Sequence, residues 1–112
     1  MTSDLNALDR GELLMLATRC IPAPTDRQVA EARVLAAEAE WWRLQHVTSL
    51  MRAARKHTRE GAEANPRCLT HREAFEESDI DVRRAELAAG RAWTRLQELT
   101  IALEALEQAE AA

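Results

Sequence analysis

The chain has 112 residues, 46% of them hydrophobic and 30% charged, with no Tyr, three Gly and three Pro. That balance suits one Leu/Ala-rich helical domain and excludes both a disordered chain and a sheet-rich fold. A net charge of −4 argues against binding nucleic acid over the whole surface, and no apolar run approaches the ~20 residues of a membrane span.

Met1-Thr2-Ser3-Asp4 lacks the basic start and apolar stretch of a secretory signal, so a cytoplasmic location is expected. A short first helix is predicted at about 9–19, where Asp9 and Glu12 have capping-box spacing and Leu13, Leu16 and Ala17 make an apolar side. Ile21-Pro22-Ala23-Pro24 then forms a corner, because two prolines block helix continuation.

A long helix follows at ~26–60, opened by a Thr25–Gln28 capping box and closed at Gly61. Arg55, Lys56, His57 and Arg59 fall in its last turns, where they suit the helix dipole. The predicted turn covers 61–70, and Thr70 with Glu73 opens a last helix at ~71–110. Cys20 and Cys68 then lie at opposite ends of a helix roughly 50 Å long, far beyond the ~7 Å that a disulfide spans. Both are expected as free thiols.

The last helix carries the strongest pattern. Phe75, Ser78, Val82, Ala85, Ala89, Ala92, Leu96, Leu99, Leu103 and Leu106 recur in steps of three and four, a seam of coiled-coil grade. Val34, Ala37, Trp41, Leu44, Thr48 and Met51 make a matching seam on the preceding helix. The fold expected is therefore all-α, a long antiparallel helical hairpin with a short N-terminal helix. Paired residue numbers should add to about 130, to within one helical turn. That register sets Trp41 against Ala89, Leu44 against Ala85 and Arg55 near Glu76. It also brings Arg52 near Glu77 and Asp79, Arg43 near Glu86, Glu38 near Arg91, and Arg33 near Glu98.

More apolar surface is present than one seam can bury. Ile80, Leu87 and Ile101 recur on the far side of the last helix, with Trp93 off the seam; Leu35, Trp42, Val47, Leu50 and Ala54 lie off the seam of the other. These side chains are expected to form a homodimer interface that joins two hairpins into a four-helix bundle, and to meet a further protein partner. The function expected is a non-enzymatic helical interaction module of adaptor, assembly-chaperone or inhibitor type, without cofactor or metal.

Two alternatives belong to other classes. Arg55, Lys56, Arg59, Arg67 and Arg72 gather at the hairpin tip, where a nucleic-acid-binding regulator would use them, though no aromatic residues interleave with them. Glu76-x-x-Asp79 resembles half of the paired acidic motifs with which all-α nucleotide pyrophosphohydrolases hold magnesium. Its only upstream counterpart, Glu60-x-x-Glu63, is split by Gly61. Cys68-x-x-His71, with His57 nearby, has zinc-ligand spacing but no second pair of ligands, so a solvated turn with a free thiol is the simpler reading.

Overall fold

The computed structural model describes residues 22–112, which form two helices: α1 (Asp26–Ala64) and α2 (Leu69–Ala111). The short helix expected at 9–19, with its Asp9–Glu12 cap, and Cys20 lie outside the described residues. The two helices run antiparallel, each roughly 60 Å long at 1.5 Å per residue. The radius of gyration is 24.3 Å, against about 13 Å for a compact chain of this size. The molecule is an extended all-α hairpin.

The start of α1 follows from its sequence. Thr25 Oγ1 accepts from the Gln28 N–H at 3.1 Å, and Gln28 Oε1 accepts from the Thr25 N–H at 3.0 Å. Two backbone donors that the first helical turn leaves open are satisfied by this reciprocal pair. Replacing Thr25 with Ala should cost about 1 kcal/mol and fray the first turn. Faster amide exchange at Gln28, whose N–H loses its acceptor, restored by Thr25→Ser, is the readout.

The turn lies farther along than Gly61. That glycine has no positive φ, and α1 runs straight through it on the helix formers Ala62, Glu63 and Ala64. What ends α1 is Pro66, which disfavours the helical region for the residue before it. Asn65 accordingly leaves the helix at φ −131° and ψ 61°. Its backbone N–H and its side-chain Nδ2 both donate to Gly61 O at 3.0 Å, closing the helix end in place of a glycine cap. The Cys68 N–H donates to Asn65 O at 3.0 Å across the Pro66-Arg67 turn.

Helix α2 begins at Leu69 with Cys68 as its N-cap residue, so the Thr70–Glu73 capping box is not formed. Thr70 already lies inside the first turn. The basic residues 55–59 likewise sit inside α1, and its last turn contains none.

Moving the turn slides the register. Trp41 meets Trp93, Arg55 meets Asp79, Arg59 meets Phe75 and Arg27 meets Glu107; every pair adds to 134. The offset from the expected 130 is one helical turn, and the ion pairs change partners accordingly. Arg55 bridges Asp79 at 3.2 Å, Arg52 bridges Glu86 at 3.2 Å, and Arg43 turns to Glu40 on its own helix. The expected pairs Glu38–Arg91 and Arg33–Glu98 are not made among the described residues.

The seam itself is where the periodicity sets it. Val82, Ala85, Ala89 and Leu96 of α2 and Ala37 and Thr48 of α1 are buried, and the remaining α2 seam residues are half-buried. Polar members fit because their hydroxyls bond to the preceding turn: Thr48 to Leu44 O at 2.7 Å and Ser78 to Ala74 O at 2.9 Å. Met51 departs from the expectation and is exposed.

Candidate interaction surface

Because the α2 seam faces α1, residues two short of each seam position point away from the hairpin. That geometry exposes Ile80, Leu87 (61% exposed) and Ile101 (63%) along the outer side of α2. Thr94 fills the gap in this row, with its hydroxyl bonded to Gly90 O at 3.1 Å. Seven of the eight interface candidates are exposed: Leu35, Trp42, Leu50, Ile80, Leu87, Trp93 and Ile101. Val47 is half-buried at the flank.

Trp93 plays a part that its off-seam position did not signal. Its ring lies 5.0 Å from that of Trp41, which in turn lies 4.7 Å from Trp42. The tilted rings are within the range of favourable aromatic pairs. Three indoles thus run across one flank, from the half-buried Trp41 to the exposed Trp93 and Trp42. Trp41 still borders Ala89, with Thr48, Gln45 and Gly90 lining the same groove of about 360 Å³. Leu35, seven residues or about two helical turns before Trp42, extends this flank toward the base.

Gly90 was legible only as a weak point in a helix. A methyl group built there would meet no atom within 4 Å, so packing inside the hairpin does not require glycine. It borders both the indole groove and a depression of about 860 Å³ on the outer side of α2. Gly61 differs: a Cβ there would stand 3.2 Å from the His71 ring, so the imidazole rests against the bare helix backbone.

At the tip, the basic residues do not form one open patch. Arg55 is half-buried and bonded to Asp79, and the Arg59 guanidinium sits 5.8 Å over the Phe75 ring, a cation–π distance. Lys56, Arg67 and Arg72 are exposed. Asp79, half of the Glu76-x-x-Asp79 pattern, receives both Arg55 and Arg83. Two guanidiniums occupy the carboxylate that a cation would need.

Cys68 is a free, half-buried thiol. The His71 side chain hydrogen-bonded to it is the main cause that holds the thiol below its usual pKa; the His71 N–H adds to this, against a smaller effect of burial. His57, Glu63 and Glu73 do not join Cys68 and His71, and among the described residues no three of His, Cys, Asp or Glu gather around one point.

At the base, Arg27 bonds Glu110 at 3.1 Å and Glu31 at 3.0 Å, tying the first turn of α1 to the end of α2. These bonds raise the Arg27 pKa, Glu110 contributing most. Such exposed pairs contribute little stability singly; their use is in fixing how the helix ends meet. No helix among the described residues is long and apolar enough to cross a membrane. Comparison with protein-family models, curated proteins and solved structures returns no match.

Proposed function

We propose that the chain is a non-enzymatic helical interaction module that acts as a homodimer, in a reducing, cytoplasmic setting that suits the free thiol of Cys68. The observation that carries this reading is the outer row of α2. Ile80, Leu87 and Ile101 repeat every seventh or fourteenth residue with nothing in the hairpin over them. Apolar rows at that spacing are the ordinary means by which helices recognise helices. The flank with Leu35, Trp42 and Trp93 is a second apolar surface, suited to another protein, since exposed Trp side chains supply much of the energy at interfaces.

Light scattering at micromolar concentration should give twice the chain mass of 12.6 kDa. Leu87→Glu places a carboxylate in the row and should weaken the dimer at least about tenfold. Trp42→Ala should leave dimerisation nearly unchanged, because it lies on the other flank. A wild-type monomer at that concentration rejects the reading. The nucleic-acid reading has less support, since Arg55 and Arg59 are already engaged within the tip. Magnesium-dependent nucleotide hydrolysis has less again, because Asp79 is held by two arginines.

A further inference from the structure

The outer depression on α2 carries more information than its size. Among the described residues its lining comes from α2 and comprises two rows, each stepping by four: one from Arg83 through Leu87 and Arg91, the other from Glu86 through Gly90 and Thr94. Arg95 and Glu98 complete the rows.

We infer that a second copy of this chain fills the depression, its α2 antiparallel to the first, with a two-fold axis passing between Gly90 and Arg91. This rests on the homodimer reading and specifies which helices meet and in which direction. With the axis there, Arg83 faces Glu98 of the other copy, and Glu86 faces Arg95. Leu87 lies over Thr94, and the stem of Arg91 lies over Gly90. The even spacing of these pairs is only the helix period and would hold on any helix. The signs are not given by the period, and on both sides of the axis they pair cation with anion. One step farther out, the same axis sets Ile80 against Ile101, both exposed in the single hairpin.

A parallel arrangement does the reverse. It stacks Arg83 on Arg83 and Glu86 on Glu86, like charge on like, which disfavours it. The antiparallel one leaves two kinds of like-charged approach, between the two Arg91 side chains beside the axis and, at each exposed outer end, between Glu77 and Glu104, where water screens the repulsion. Glycine at 90 gives each Arg91 stem room, which supplies the reason for a residue that nothing inside the hairpin requires. Arg83, bonded to Asp79, and Glu86, bonded to Arg52, are themselves exposed and can share these bonds with a second partner. The four helices then stand in one row with the α1 helices outermost, so the Trp42 flank stays open.

The test uses the full chain with Cys20→Ser and Cys68→Ser. Arg91→Cys should give a disulfide-linked dimer on mild oxidation. Leu87→Cys alone should not, but mixed with Thr94→Cys it should. Arg83→Glu and Glu98→Arg should each raise the dimer dissociation constant about tenfold, and the two together should return it to within about threefold of the parent. Positions 83 and 98 are roughly 22 Å apart along one helix, so restoration cannot arise within a single hairpin. Gly90→Leu, which favours the helix, should still fold but weaken the dimer about tenfold. A dimer with no cross-link at 91 and no restoration overturns the axis and leaves the homodimer reading standing. A monomer of the parent chain overturns both, and linking of Leu87→Cys to its own copy shows a different arrangement.

Discussion

Leu96→Asp should unfold the hairpin at room temperature, seen as loss of most of the helical circular dichroism. Leu96 is one of few large buried side chains, in a seam whose other buried members are mostly alanines. Deleting its apolar bulk costs about 2–5 kcal/mol, and leaving a polar group there adds about 1–3 kcal/mol. The new carboxylate would lie in the seam with the buried Ala37, where no cation among the described residues is buried to pair with it. Small domains have only about 5–15 kcal/mol in total, and a hairpin this thin belongs at the low end. Leu96→Met keeps the volume and should change stability by less than about 1.5 kcal/mol. Retention of full helicity and cooperative melting by Leu96→Asp would show that the seam contributes far less than its burial implies.

The seam could be read directly because period is a property of sequence. Ten α2 positions from Phe75 to Leu106 alternate by threes and fours, and none of the ten is exposed. Thr25–Gln28 was legible for a similar reason: a capping box is local and needs nothing from the rest of the fold. The turn was harder. Gly61 and Asn65-Pro66 are both breakers, and glycine ends a helix only when the chain needs a positive φ there. Ala62 through Ala64 continued the helix, and the proline decided its end. From that choice followed a register displaced by one turn, with Arg52 on Glu86 and Trp41 on Trp93.

The outer surface was legible in part. Exposure of Ile80, Leu87 and Ile101 follows from their phase relative to the seam. The void around Gly90 does not, because a glycine in a sequence looks the same whether neighbours crowd it or nothing stands near. Trp93 illustrates the same boundary. Its phase put it off the seam, yet only the true register brought Trp41 beneath it.

Melting should depend on protein concentration, and this second large effect follows from how little one hairpin buries. Among the described residues the fully covered side chains are Val82 at 0% exposure and Thr48 at 2%. Three of the other four buried positions, Ala37, Ala85 and Ala89, contribute a single methyl each. Isolated helices are marginal in water and rely on packing for most of their stability. A second hairpin laid along the outer side of α2 would cover Leu87, Ile80 and Ile101, each larger than those alanines. Association then adds to folding by mass action, about 2.7 kcal/mol when the partner stands at a hundred times its dissociation constant. For a domain near 100 residues, each kcal/mol moves the midpoint by about 4–8 °C. The parent chain should therefore melt roughly 10 °C higher at the upper end of such a concentration range than near the dissociation constant, whereas Leu87→Glu, with its dimer at least about tenfold weaker, should show a rise of roughly half that or less. Equal, concentration-independent midpoints for both chains would mean that the narrow seam between α1 and α2 is sufficient alone, and that the outer row of α2 contributes nothing to holding the helices together.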